Sequence, residues 1–235
     1  NGRGYGFFKI TEGESSGLWS VLRLSEDEVL KGSLLITLYE NLRWKTISPQ
    51  GFRDEMLAYL PNESNSLLFS MALSYLGDCQ RIFPSDSRPL EQVLWKIVTT
   101  NPVSQHRLQA FRLYRSIADS EEAVQRLYTL WQERKAPKDC ALSESDYIGL
   151  SYILAIHLPE KADKIIATQL SRIQNPDRKK EYQFISPSVS PRKAERDSVF
   201  ASLLIAGNRR VEPWASSALA NLNHRLREQE SVAYI

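Results

Sequence analysis

The stretch SRPLEQVLWKIVTTNP, Ser87 to Pro102, has the spacing of an amphipathic helix. Its apolar residues recur at intervals of three and four, which places them on one face of an α-helix. They are Leu90, Val93, Leu94, Ile97 and Val98. Ser87 is a good capping residue, and Asn101 ends the pattern because the residue before a proline is disfavoured in helical backbone. The stretch predicts one helix with one buried face.

The same pattern recurs along the chain, each time behind a helix-starting residue. The predicted starts are Ser25 (a capping box with Glu28), Ser48-Pro49, Asn62, Ser104, Ser120, Ser143 (with Asp146), Pro159, Ser190-Pro191 and Glu212-Pro213. Gly77 is expected to end the helix that begins at Asn62. Alternate starts are separated by about 40 residues, the spacing of HEAT-like and armadillo-like helix pairs. The sequence therefore predicts an all-α, irregular HEAT/armadillo-like superhelix of about 11–12 helices.

The first ten residues, NGRGYGFFKI, differ from this pattern. Glycines and alternating aromatic residues favour a short strand or an extended arm, and TEGESSG, residues 11–17, is expected to be a loop. We therefore divide the chain into an extended arm, residues 1–13, and a helical domain, residues 14–235.

Composition excludes several classes of protein. With 30 Lys+Arg against 28 Asp+Glu the net charge is only +2, so no nucleic-acid-binding field is expected. The apolar runs NSLLFSMALSYLG and YIGLSYILAIHL are too short to span a bilayer, which predicts a soluble protein, cytoplasmic or periplasmic. Cys79 and Cys140 are too few for a disulfide scaffold and are expected to be small buried residues.

No catalytic motif is visible. The three histidines, His106, His157 and His224, do not form the HExxH pattern that binds zinc on one helical face. Neither a GxSxG nucleophile elbow nor a phosphate-binding GxxxxGK[ST] loop occurs. We predict no catalytic residue, no metal ligand and no cofactor within the chain.

A basic stretch, Arg172 to Arg196, interrupts the helical pattern. It carries seven basic and three acidic residues around two Ser-Pro steps, which we interpret as helix starts. Such a run is usually a solvated surface, but on a concave wall it would attract a carboxylate-bearing ligand. The candidate ligand-facing residues are Arg178, Lys180, Arg192 and Arg196. The structural alternative is that Arg196 and Asp197 form ion pairs between helices.

Two long segments resemble a known family. They are NPDRKKEYQFISPSVSPRKAERDSVFASL, residues 175–203, and NRRVEPWASSALANLNHRLRE, residues 208–228. Both resemble the carboxy-terminal domain of aminopeptidase N-like (gluzincin) zinc metallopeptidases, in a bacterial branch. The front of the chain, residues 1–10 and 22–52, resembles the family's passage from a small β-domain into its first helices. Arg225 departs from the pattern, because the family has an aromatic residue or proline there.

The resemblance implies that catalysis and enclosure of the substrate belong to different domains. A parent enzyme would remove amino-terminal residues from peptides, with its zinc, general base and substrate-binding glutamates in a domain before Asn1. This chain would be the non-catalytic helical domain that encloses the substrate chamber and packs on the catalytic domain of the same polypeptide. Residues 1–13 would then be the remnant of the β-domain, and Ile235 would precede the family's last helices.

Two other functions remain open from the sequence. A stand-alone HEAT-like scaffold would bind a partner protein through its concave face. An RNA-binding helical repeat would need base-reading side chains in each helix pair, and the sequence shows none.

Overall fold

A computed structural model describes residues 6–234, which contain 13 α-helices, short 3-10 turns and no strand. The predicted all-α fold is confirmed. The helices are α1 (Glu12–Leu24), α2 (Glu28–Arg43), α3 (Pro49–Tyr59), α4 (Ser66–Ile82), α5 (Arg88–Thr100), α6 (Ser104–Ile117), α7 (Glu121–Glu133), α8 (Glu144–His157), α9 (Ala162–Arg172), α10 (Pro176–Ile185), α11 (Lys193–Leu203), α12 (Glu212–Leu222) and α13 (Glu228–Ser231). None of these described helices combines the length and the apolarity needed to cross a membrane.

The helices belong to two compact units. Unit 1 comprises residues 6–120 and Pro137–Ala141 and holds α1 to α6. Unit 2 comprises Glu121–Ala136 and residues 142–234 and holds α7 to α13.

In unit 1 the helices α2, α4 and α6 pack side by side and run in the same direction. The rings of Tyr39 in α2 and Tyr75 in α4 stack with centroids 4.0 Å apart. Phe69 of α4 and His106 of α6 stack at the same distance, and the Cα of Gly77 lies so close to Leu113 of α6 that a methyl group there would clash. The paired positions are 36 or 37 residues apart, which is the helix-pair spacing predicted from the sequence.

Unit 2 repeats the arrangement. Ser151 of α8 is hydrogen-bonded to Tyr182 of α10 at 3.0 Å, and Phe184 of α10 packs on Trp214 of α12 with ring centroids 5.8 Å apart. In the other row, the indole of Trp131 in α7 donates to Gln169 of α9 at 2.8 Å. Alternating helices thus form two rows within the unit.

The sequence TEGESSG is helix, not loop. Thr11 caps α1 by accepting from the backbone of Glu14, whose carboxylate accepts from the Thr11 amide in return. The predicted boundary between residues 13 and 14 therefore falls inside α1. The expectation was wrong because two glycines and two serines hid a capping box that begins at the threonine.

Two further helix boundaries differ from expectation. Asp27, not Ser25, caps α2 by accepting from the amides of Val29 and Leu30. Asn65, not Asn62, caps α4, and Gly77 lies within that helix instead of ending it. Gly77 is a place of close approach between α4 and α6, a tertiary requirement that resembles a helix stop in the sequence.

Several starts are as predicted. Ser48 caps α3 ahead of Pro49, Ser143 and Asp146 form a reciprocal capping box at α8, and Asn101 ends α5. Cys79 and Cys140 are buried, as predicted, and are not joined in a disulfide.

Part of the predicted arm lies along α2. The side chain of Asn41, buried in α2, accepts from the Ile10 amide at 2.9 Å and donates to the Phe8 carbonyl at 2.8 Å. Residues 6–10 have no regular secondary structure, whereas residues 1–5 of the predicted arm lie outside the described residues.

His106 is a titratable group in the core of unit 1. Its ring is fully buried, stacks on Phe69 and has its Nε2 atom 3.0 Å from the Ser66 hydroxyl. Burial lowers the pKa of this imidazole, and the nearby Glu63 carboxylate offsets part of that effect. Nδ1 has no hydrogen-bond partner among the described residues.

This lowered pKa predicts sensitivity to acid. Because the folded state favours neutral His106, protonation favours unfolding once the pH falls below the unfolded pKa of about 6.5. The free energy of unfolding should fall there by at most about 1.4 kcal/mol per pH unit. Urea unfolding at pH 7.5 and 5.5 measures the change, which should be smaller in His106→Phe, a variant that keeps the ring stack. Equal pH dependence in both proteins would contradict the assignment.

Candidate functional site

The basic stretch is built around helix α10, which the sequence analysis took for an interruption. The Asn175 side chain accepts from the amides of Asp177 and Arg178, and Pro176 occupies the first helical position. Tyr182 and Ile185 are buried on the inner face of the helix. The charges made the segment resemble a loop, although its cap and its two buried residues are those of an ordinary amphipathic helix.

Arg178 and Lys180 both lie on α10 and are partly open to solvent. An Nη atom of Arg178 lies 3.3 Å from the Glu144 carboxylate of α8, and its side chain is 42% exposed. Lys180 is 71% exposed, and its one ion-pair partner among the described residues is the exposed Asp177, 3.7 Å away. Such an exposed pair contributes little, so the Lys180 charge is largely available to a ligand.

Arg192 is already neutralised. Its guanidinium donates to both oxygens of Asp163 at 2.8 and 2.9 Å and also contacts Glu195. The hydrogen bonds that Arg192 donates to Asp163 lower the pKa of that carboxyl, and those that it donates to Asp163 and Glu195 raise the pKa of the arginine. Two carboxylates around one cation leave no positive charge for an anionic ligand.

Arg196 is a buried structural residue. Its side chain is 3% exposed, donates to the Ser190 carbonyl at 2.7 Å and is bonded to the Glu230 carboxylate. Beside it, Arg227 donates to the carbonyls of Ser188 and Val189. Burial, and then repulsion from Arg196, lowers the pKa of Arg227 to about 10. The two guanidiniums thus hold three consecutive carbonyl groups of the turn between α10 and α11.

The ion pairs between helices that were expected of Arg196 and Asp197 form at Arg196 but not at Asp197. Asp197 accepts from Lys193 within α11 at 2.7 Å and from the Tyr234 hydroxyl at 2.7 Å. Arg196 pairs with Glu230. Neighbouring residues on a helix point in different directions, so each reaches its own partner.

An open apolar groove lies beside these charges in unit 2. It has a volume of about 640 Å³, between α11 and the turn that follows α10. Its lining is Phe184, Pro187, Ala194, Glu195, Ser198, Val199, Ser202 and Leu203. Glu195 is the one ionisable residue in this lining, and Arg192 neutralises it.

The histidines do not fit a zinc site. The His106 ring is committed to Ser66 and the core, and the rings of His157 and His224 meet edge to face with centroids 5.8 Å apart. The described residues include no cluster of three or more His, Cys, Asp or Glu with metal-binding geometry.

The acidic partners of the three arginines among the four basic candidates were not predicted from the sequence. Glu144, Asp163 and Glu230 each lie about 30 residues from the arginine they contact. No local spacing rule relates residues so far apart, so a single sequence contains no signal for these pairs.

Comparison of the chain with models of protein families, with curated proteins and with solved structures gives no match.

The burial of Arg196 and the exposure of Lys180 predict different contributions to stability. Arg196→Ala should lower the free energy of unfolding by about 3 kcal/mol, because it leaves the Ser190 carbonyl and Glu230 without their buried partner. Lys180→Ala should change it by no more than about 0.5 kcal/mol, because that side chain is exposed. Urea unfolding of the two variants beside the unaltered chain measures both values, and similar losses would show that the burial difference does not matter.

Proposed function

We propose that this chain is the non-catalytic, carboxy-terminal helical domain of a zinc-dependent aminopeptidase and that it encloses the substrate chamber. The observation that carries the proposal is the role of the residues in the family-like segments. Asn175 caps α10, Arg178 joins that helix to α8, and Arg196 secures the next turn. Trp214, in the second segment, packs on Phe184 in the first. Because these residues cap, join and pack helices, their resemblance to the family supports a structural role for the domain.

In this proposal the parent's zinc, general base and amino-terminus-binding glutamates belong to a preceding domain. In this proposal the helices of the present chain enclose the substrate chamber, and its basic residues attract the peptide. Of its four basic candidates, Lys180 and Arg178 are the ones whose exposure suits attraction of a peptide's carboxylate end. Arg192 is neutralised by two carboxylates and Arg196 is buried, so neither is included.

The coding sequence before Asn1 is the most direct test of this proposal. It should encode an HExxH motif with a glutamate downstream, the zinc-binding pattern of the family. The 235-residue chain alone should hydrolyse no aminoacyl-4-nitroanilide, with or without added zinc. A coding sequence without that motif, or turnover by the isolated chain, would overturn the proposal.

The role of α10 has its own test in the full-length polypeptide. Arg178→Glu combined with Lys180→Glu should raise KM for short peptides with a free C-terminus by about tenfold, a loss of about 1.4 kcal/mol of attraction. Amidated versions of the same peptides should change little, because they lack the carboxylate. Steady-state kinetics on both peptide series measures the difference.

Lys96→Glu is the matched control, because Lys96 is an exposed lysine of α5 in unit 1. It should leave both peptide series unchanged. Equal effects of the α10 variant on free and amidated peptides would remove α10 from substrate binding while leaving the domain assignment intact.

A stand-alone protein-binding scaffold is the second candidate. It is favoured by the repeated parallel helix packing within each unit, which is typical of HEAT-like binding proteins. The coding sequence before Asn1 distinguishes the two candidates, because the scaffold requires no zinc-binding motif there.

A further inference from the structure

Three aliphatic side chains of unit 1 are unusually open to solvent. Leu24 is 84% exposed, Val29 is 80% exposed and Leu67 is 75% exposed, more than any other large apolar residue among those described. Single exposed leucines are common, but a cluster of them marks an interaction surface. Their relative positions therefore decide whether they have a function.

The packing of α2 on α4 brings two of these residues to the same end. A methyl group on Gly32 of α2 would lie 3.6 Å from Leu68 of α4, and further along Tyr39 stacks on Tyr75. Both contacts pair positions 36 residues apart, so the two helices run in the same direction with their first turns side by side. Val29, in the first turn of α2, consequently lies beside the first turn of α4, which contains Leu67.

Leu24 joins them at this end. It is the last residue of α1, and only residues 25–27 separate it from the start of α2. A three-residue connection keeps the end of one helix next to the beginning of the other. Leu24, Val29 and Leu67 therefore all lie at the end of unit 1 where α1 ends and α2 and α4 begin.

Acidic residues lie at the same end of unit 1. Glu26, Asp27 and Glu28 are consecutive and exposed, and no Lys or Arg among the described residues forms an ion pair with any of them. The nearby Lys31 is bonded to the buried Glu63. We call the three aliphatic residues and these three carboxylates the terminal patch. It combines exposed apolar side chains with three carboxylates, of which Asp27 also caps α2.

We propose that the terminal patch is a docking surface for an amphipathic partner segment whose aliphatic side chains are flanked by lysine or arginine. Burial of the aliphatic groups stabilises the complex, and the carboxylates attract the basic residues and exclude acidic partners. The groove beside α11 also has an apolar lining, but its single carboxylate is bonded to Arg192, whereas the carboxylates of the terminal patch have no ion-pair partner among the described residues. The proposal is independent of the aminopeptidase assignment.

The test uses a synthetic helical peptide of about 14 residues with leucines on one face and lysines on the other. Its dissociation constant for the whole chain is measured by fluorescence anisotropy. Leu24→Ser, Val29→Ser and Leu67→Ser together should raise that constant at least about tenfold. Because all three residues are exposed, the melting temperature should be unchanged, which circular dichroism checks.

The matched control replaces three similarly exposed aliphatic residues of unit 2, Leu204, Ile205 and Val232, with serine. This control should leave the dissociation constant within about twofold of its original value. An equal loss of binding in the control would mean that the peptide binds any apolar surface, and it would overturn the proposal.

A second variant tests the charge of the patch. Glu26→Gln, Asp27→Asn and Glu28→Gln remove the three charges, and asparagine still caps α2. Peptide binding should weaken and lose its dependence on salt between about 0.05 and about 0.5 M. Unchanged salt dependence would overturn the assignment, as would concentration-dependent dimerisation of the chain that the triple serine variant abolishes, because the occupant would then be a second copy.

Discussion

Both units depend on the packing of alternate helices on each other, such as α2 on α4 and α4 on α6 in unit 1. In unit 1 the Tyr39–Tyr75 stack joins α2 to α4, and the Phe69–His106 stack joins α4 to α6. Short helices are marginal in isolation and gain most of their stability from burying one face against a neighbour. The repeated spacing therefore has a physical cause. Each helix pair buries its apolar face against the next pair, and the contacting residues must lie level with each other along the helices.

Several charged residues of unit 2 stabilise the packing of its helices. Arg196 and Arg227 hold the backbone between α10 and α11, and Arg192 joins α9 to α11 through Asp163. An arginine suits this task because its planar group donates to several oxygens in fixed directions. Of the four basic candidates, Arg178 and Lys180 of α10 are exposed and, among the described residues, are not bonded to two carboxylates. The proposal of a peptide contact is confined to them.

The helix pattern was predictable, whereas several of its boundaries were not. The stripe from Leu90 to Val98 indicates a helix without reference to anything else, and Ser48-Pro49 and Ser143 mark true starts. Gly77 was misleading because a glycine required by the approach of another helix looks the same as one that ends a helix. The charged start of α10 was misleading because its exposed residues outnumber the buried ones.

The sequence by itself determined the fold class, the helix-pair spacing and the absence of a recognisable catalytic motif, because periodicity, caps and motifs are local properties of the chain. Only the tertiary structure decided which basic residues are paired, which one is buried, and which exposed leucine and valine residues lie together. Those properties join residues about 30 or more positions apart, such as Arg196 with Glu230 or Val29 with Leu67. They depend on how one helix pair packs on the next, which no local pattern expresses.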